Sequence, residues 1–549
     1  MKRLSEKQYL TINPPTEEDS RSDHQRLIDT LSSFGYSQIH IPLTILQHLH
    51  TTCIQNDYNI TVTLIYKGST WTVISLEGGD TTQSHYGLAV DYGSTTIIME
   101  LVDLNTGESI AQVKEKNGQI AYGTDILTRI TYTMEDSSHM KELQMATIKT
   151  FHQLFDQLTI LAGIDAAKCP IMVISGNTTM IHFLLCLDAK TVFFSPYAPV
   201  TTNPGWFFGK ELDLDFAGIA YIMPAASNYI GGDIISGLLN MNLQQSEELQ
   251  MFFDIGTNGE LVLGNRDWLL AGAGAAGPAL EGYISRYGMR AAEGAIDTVQ
   301  IEHGRLTITT IGNKAPIGIC GSGIIDLLAQ LRLHGWINIA GEINPEASSC
   351  IRYLQDEQQY VVVYADETIS ESKQPLYFSQ TDIHQYLDTK AAAFTMIDCL
   401  LSSSGYSEKD ISRCYLSGAF CAHSNLESAI TIGIFPDLPR EKYTLLPNSS
   451  LSGARILLMD RTRFEDIQYL TENLYCVQFA SIPDFLIRMQ AAKFIPHTDM
   501  QRYPSIQKKL DGISRKTMKL TSKKFKKYAE KSYISSHHLM RIYRTILFH

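Results

Sequence analysis

The chain has 549 residues, 44% hydrophobic and 19% charged, an ordinary globular composition in a chain too long for one core, so two to four domains are expected. Its 45 Lys/Arg against 58 Asp/Glu leave a net charge of −13, which argues against nucleic acid as a partner. Met1–Lys7 carries charge with no apolar stretch behind it, and no run of about 18 apolar residues occurs, so neither a signal peptide nor a membrane span is expected. The expectation is a cytoplasmic protein without a membrane partner. Nine cysteines lie at long spacings with no Cys-x-x-Cys pair, which predicts buried thiols rather than a disulfide framework, a zinc knuckle or a sequence-local iron–sulfur motif.

In chain order, residues 1–35 are polar, with a loop at Asn13–Asp19 and a helix predicted over His24–Phe34, where Leu27, Leu31 and Phe34 share a face. Two apolar runs, Ile60–Tyr66 and Trp71–Leu76, flank Lys67–Thr70 and predict a hairpin within a small α+β module. An α/β region begins near Tyr86. Gly87–Asp91 reads as a buried strand ending on an aspartate, Gly93–Thr96 as a turn, and Thr95–Asp103 as the next strand. Ile171–Ser175 is another buried strand. Met251–Gly264 repeats the first design of strand, aspartate, Gly-Thr turn and strand, with Asp254 standing 163 residues after Asp91. Duplicated hairpins predict a two-lobed architecture. From Arg502 onward there are 13 Lys/Arg against 2 Asp/Glu, a tail of charge +11 beyond a body of −24. This tail reads as solvated, with docking onto an acidic surface as the alternative.

The paired hairpins carry the chemistry. A turn of Gly and Ser/Thr aims backbone N–H groups and hydroxyls at phosphate oxygens, and a preceding aspartate binds Mg²⁺ through water. Asp91 and Asp254 are the expected Mg²⁺ carboxylates. Gly93, Ser94, Thr95, Thr96, Gly256, Thr257, Asn258 and Gly259 are the expected phosphate ligands of ATP. Tyr415–Phe420 ends in small residues, so Gly418, Ala419 and Phe420 are candidates to flank adenosine, or form a tight strand–helix turn. Gly321, Ser322 and Gly323 open a helix whose N–H groups either meet nucleotide or mark close helix–strand packing. Asp233 starts a helix after Tyr229–Gly232 and either orients the attacking water or is held by the helix dipole. The run Ala271–Gly282 lacks a Walker ending and reads as a flexible segment near the site.

The series Gly87–Thr96, Tyr122–Ile130, Gly176–Met180, Asp254–Glu260, Ala276–Gly282, Gly318–Gly323 and Glu427–Gly433 resembles the ATP-dependent reductive activators of corrinoid proteins, from about residue 10 to about residue 497. The resemblance implies an actin/hexokinase/heat-shock type ATPase fold and a homodimer. It also implies use of ATP to return an inactive Co(II) corrinoid to Co(I) on a methyl-transferring partner protein. The expected organisation is a linker-like segment 1–35, a small α+β middle domain 36–85, an actin-like ATPase domain 86–500 with lobes of roughly 86–240 and 241–500, and a basic tail 501–549. The family's N-terminal iron–sulfur domain has no counterpart here, so no bound cluster and a separate ferredoxin-type electron donor are expected. Tyr92 and Ser94 stand where the family more often has an aliphatic residue and threonine, and Ser94 keeps the hydroxyl. A small-molecule kinase of the same fold and a nucleotide-regulated scaffold or sensor remain the alternatives.

Overall fold

The computed structural model describes residues 2–256, 258–274, 282 and 284–513. By internal contacts the chain divides into two compact units. One comprises Met1–Gly277, Met396–Ala422 and Arg440–Ile482, the other Pro278–Thr395, His423–Pro439 and Pro483–His549.

The first unit begins with a four-stranded sheet. Its strands are β1 (Ser5–Thr11), β2 (Ile39–His40), β3 (Asn59–Tyr66) and β4 (Trp71–Gly78), in the order β1-β3-β4-β2. The expected hairpin is present, closed by the Lys67 amide donating to the Thr70 carbonyl at 2.8 Å. The expected helix spans Asp23–Ser33 and buries Leu27 and Leu31. Phe34 departs from the expectation: it is the helix C-cap, beyond the last turn, and is 55% exposed. Ser5–Thr11, within the polar N-terminal segment, pairs along its whole length with β3.

Two six-stranded sheets follow in the same unit. The first contains β5 (Tyr86–Tyr92), β6 (Thr96–Asp103), β7 (Ser109–Lys116), β8 (Ile171–Gly176), β9 (Gly205–Phe208) and β10 (Ile219–Ile222), ordered β7-β6-β5-β8-β10-β9. The second has β11 (Gln250–Ile255), β12 (Gly259–Asn265) and β13 (Trp268–Gly274) at its centre. Arg413–Ser417 and Tyr443–Leu446 extend it beyond β11, and Leu474–Cys476 beyond β13. Each expected hairpin thus sits in its own sheet. The inner strands of both read as unbroken apolar runs because they are covered on both faces.

Strand periodicity sorts those runs into two cores. Leu88, Val90 and Tyr92 pack with Met172 and Ile174 under the long helix Ser138–Ala162. Ala89 and Val173 face the other way, into a core shared with Phe252, Val262 and Ala271 of the second sheet. Two helices, Gly232–Leu238 and Ser449–Met459, fill that shared core. They cross closely: a Cβ on Gly453 would stand 1.8 Å from the Ser236 carbonyl oxygen.

Ala271–Gly274 proves to be the end of β13, not a flexible segment. Its small residues have a packing reason, since a Cβ on Gly272 or Gly274 would lie 2.3 Å from the Phe479 ring or the Met396 sulfur. Residues 275–281 of that run lie outside the described residues, as do residue 257 and the tail from 514.

The second unit contains the three-stranded sheets Ala295–Glu302, Arg305–Thr310, Gly318–Ile319 and Ile351–Leu354, Gln359–Ala365, Leu376–Ser379. In it Lys390, fully buried, donates through Nζ to the carbonyls of Ala492 (2.5 Å), Phe494 (2.7 Å) and Pro496. Among the described residues no helix is long and apolar enough to cross a membrane. The nine cysteines form no disulfide, six being buried and three half-buried.

Candidate functional site

The period of two that sorts the cores also aims the acids. Asp91 shares the strand face of Ala89, and Asp254 that of Phe252, so both carboxylates point into the shared core from different sheets. Both stand at the carboxyl ends of their strands, where parallel neighbours place Ser175 beside Asp91 and Ser417 beside Asp254. Such strand ends are where open α/β sheets hold ligands.

The N-terminus of the helix Ser449–Met459 ties the two acids together. Asn448 is its N-cap, accepting the Leu451 amide at 2.9 Å. Its Nδ2 donates to Asp91 Oδ2 at 2.9 Å. Ser450 Oγ donates to Asp91 Oδ1 at 2.9 Å and lies 3.0 Å from Ser175 Oγ. Ser449 Oγ donates to Asp254 Oδ2 at 3.3 Å and lies 2.7 Å from Ser417 Oγ. These serines and Asn448 were not among the residues expected from the sequence. The only local signal for them is an Asn-Ser-Ser cap before an apolar helix, which marks a helix start and nothing more.

Two more carboxylates join the cluster. Asp233 lies in the first turn of the crossing helix Gly232–Leu238, and its Oδ1 accepts the Ile234 amide at 2.9 Å. Glu260, paired in register with Asp254, is 8% exposed. Asp91, Asp233 and Asp254 retain some accessible surface, but protein atoms crowd them on most sides. Burial, then the charges of Asp254 and Asp91, raise Asp233 to about 7. Burial and the charge of Asp91 raise Asp254 to about 6, against hydroxyl donors from Ser417 and Ser449. Burial also raises Asp91, opposed by Asn448 and Ser450. Glu260 is pushed well up by burial and by the charges of Asp233 and Asp254.

Four acids so placed repel one another and resist ionisation, and a cation relieves both costs. The donor set therefore fits a hard divalent ion such as Mg²⁺. Among the described residues no three His, Cys, Asp or Glu side chains converge closely enough to hold an ion directly.

The first expected phosphate turn, Gly93 to Thr95, joins β5 to β6, with Thr96 opening β6. A Cβ on Gly93 would stand 2.5 Å from the Thr96 carbonyl oxygen, so only glycine fits there. Ser94 is buried. Tyr92 points to the opposite core, where its hydroxyl lies 2.8 Å from Thr147 Oγ1. In the second turn the Gly256 amide donates to the Asn258 carbonyl at 2.9 Å. The Asn258 side chain hydrogen-bonds Glu260, and Gly259 opens β12. Thr257 lies outside the described residues.

Gly418, with φ +91°, starts the helix Gly418–His423. A Cβ there would lie 2.2 Å from the Ile255 carbonyl oxygen and 2.8 Å from Asp254 Oδ1, so Gly418 packs directly on the acid cluster. Phe420 is buried in the same short helix, and the side chain of Ala419 lies outside the described ones. In the second unit, Gly321, Ser322 and Gly323 open the helix Gly321–Leu333. A Cβ on Gly323 would stand 2.4 Å from the Ile296 carbonyl oxygen, a close helix–strand contact.

Three family models match the chain. They are the RACo linker region over residues 1–83, the RACo middle region over 86–246, and the C-terminal domain of RACo, the ASKHA domain, over 248–507. The corrinoid activation enzyme RamQ of Eubacterium limosum is 30% identical over 411 residues, 73% of this chain and 69% of RamQ. The chain belongs to the RACo family of reductive activators. The [Co(II) methylated amine-specific corrinoid protein] reductase of Methanosarcina barkeri is 24% identical over 417 residues, covering 70% of this chain and 71% of the reductase. A solved structure of a reductive activator for corrinoid, iron-sulfur protein superposes with a TM-score of 0.82 at 33% identity, over 92% of this chain and 81% of that one. The actin/hexokinase-like fold that the resemblance implies is the fold of the family's C-terminal domain.

Proposed function

We propose that this protein is an ATPase that activates a corrinoid protein, supporting one-electron reduction of Co(II) to Co(I) with an electron from a separate ferredoxin-type donor. The observation that carries the reading is the carboxylate cluster where two phosphate-type hairpins meet, in a chain whose relatives are named for corrinoid activation.

In this reading Mg²⁺, when bound, neutralises phosphate charge, and Asp91 and Asp254 hold it through water. The turns Gly93–Thr96 and Gly256–Gly259 offer N–H groups and hydroxyls to the phosphates. Asp233, raised to about 7, is suited to take a proton from the attacking water. Gly418, Ala419 and Phe420 flank adenosine. The nucleotide state biases affinity for the partner. The protein works in the cytoplasm as a homodimer.

Anaerobic pull-down with the full-length protein and MgATP is expected to retain a corrinoid protein. Addition of ATP and a reduced ferredoxin should then produce the Co(I) absorbance spectrum. Absence of ATP-dependent Co(I) with that partner present would overturn the proposal.

A further inference from the structure

The first phosphate-type turn is braced from behind by one residue. Asn117 follows β7 directly and is 1% exposed. Its backbone amide donates to the Thr95 carbonyl at 2.9 Å, and its side-chain Nδ2 donates to the Gly93 carbonyl at 2.9 Å. Its Oδ1 accepts the Gln119 amide at 3.0 Å, capping the 3₁₀ turn Gly118–Tyr122. All three polar groups of this side chain and amide are committed, two of them to opposite ends of the turn.

That turn is in turn anchored to the long helix Ser138–Ala162. The Gly118 amide donates to Thr150 Oγ1 at 3.1 Å. A Cβ on Gly118 would lie 2.9 Å from the Ala146 carbonyl oxygen, so the contact is backbone against backbone. Gln119, fully buried, donates through Nε2 to Thr147 Oγ1 at 2.8 Å and to the Leu143 carbonyl at 3.1 Å. The same Nε2 lies 3.2 Å from the Tyr92 hydroxyl, next in sequence to Asp91. Asn117 therefore links the hairpin tip to the rigid core beneath the first sheet.

The direction of these bonds matters. In a planar trans peptide the C=O and the following N–H point opposite ways. With the Gly93 and Thr95 carbonyls drawn to Asn117, the N–H groups of Ser94 and Thr96 are turned to the other side of the turn. From this geometry we infer that Asn117 is a positioning residue for nucleotide phosphate: it presets the Ser94 and Thr96 N–H groups so that the terminal phosphates meet donors already in place. This rests on the ATP-binding reading above. Preset donors cost no reorganisation when charge arrives, which is what makes such groups effective.

The full-length variants N117D and N117S test this. Aspartate keeps the shape and the cap acceptor for Gln119, but sets a carboxylate oxygen against the Gly93 carbonyl. Serine keeps a short acceptor and serves if N117D does not fold. Two quantities are read: affinity for MgATP and for AMP by calorimetry, and hydrogen–deuterium exchange of the peptide spanning 93–97 without nucleotide. The expected result is MgATP affinity weakened at least about tenfold, near 1.4 kcal/mol, with AMP affinity unchanged and faster exchange in the turn. A purely structural role would lower the melting temperature and leave the ratio of ATP to AMP affinity as in the wild type, which would overturn the inference. If wild type binds ATP and the variants match it in affinity and exchange, the Asn117 role alone falls. If wild type binds no ATP, the ATP-binding reading falls with it.

Discussion

Ser450 and Asp91 stand 359 positions apart in sequence and 2.9 Å apart in space, hydroxyl to carboxylate. The same helix start sends Asn448 to Asp91 and Ser449 to Asp254. Its far end meets the N-terminal sheet: the Leu4 amide donates to the Leu458 carbonyl at 3.0 Å, and the Arg461 guanidinium lies over the Trp71 ring at 4.6 Å. One 11-residue helix thus spans from the acid cluster to the module that opens the chain.

Removing the charge of Asp254 should stop turnover and spare the fold. Asp254→Asn keeps size and hydrogen-bonding capacity while withdrawing a negative group from a site expected to hold Mg²⁺. ATP hydrolysis should fall by about a hundredfold or more, with the circular dichroism spectrum unchanged. Hydrolysis at the wild-type rate would remove Asp254 from the site.

The acid cluster predicts the pH dependence of the metal-free protein. Asp233 and Asp254 are raised to about 7 and about 6 by burial and by the charges of neighbouring carboxylates, Asp254 and Asp91 for Asp233 and Asp91 for Asp254. The folded protein keeps these protons at pH values where the unfolded chain has released them. Their contribution to stability is thus fully present below about pH 4, is lost progressively as pH rises from there, and is gone above about 7. The melting temperature without metal should fall across that window, and MgATP should lessen the fall. Thermal melts with and without MgATP check both parts, and a metal-free melting temperature rising through the window would contradict the cluster.

Gly453→Ala should separate the crossing helices. The new Cβ would meet the Ser236 carbonyl oxygen at 1.8 Å, a backbone atom that cannot rotate away. Overpacking of this kind costs about 1–3 kcal/mol. Because the same helix carries Asn448, Ser449 and Ser450, ATP affinity should weaken in the variant as well. Denaturant unfolding and nucleotide titration read the two effects separately.

Lys390→Met should destabilise the second unit. Methionine fills the volume but strands three carbonyls, two of them in buried bonds, that now share one ammonium. Burial pushes the lysine pKa down, while those three oxygens favour the charged form. The loss should be roughly 2–5 kcal/mol, seen as a lower denaturant midpoint. Unchanged stability would mean that the carbonyls find other donors.

The hairpins were legible in the sequence because their rules are local. An apolar run that ends on Asp91 or Asp254, then glycine and a hydroxyl residue, specifies strand and turn within a dozen positions. The strand parity that puts each aspartate on the face opposite its neighbours follows from strand geometry alone. Phe34 and Ala271–Gly274 were misread for related reasons. Apolar spacing does not show where a helix stops, and small residues signal looseness until the Phe479 ring and the Met396 sulfur that they accommodate are known.

By itself the sequence determined the strands of both hairpins, the two-residue alternation of faces along them, and where two Gly-Ser/Thr turns occur, since these depend on neighbours within a few residues. Only the tertiary structure decided that both aspartates share one core and that Asn448, Ser449 and Ser450 hold them. It also decided that Glu260 joins Asp233 in their field and that Asn117 braces the first turn. Those contacts link residues as far as 359 positions apart, and which of them form depends on how sheets and helices stack, for which no local pattern codes.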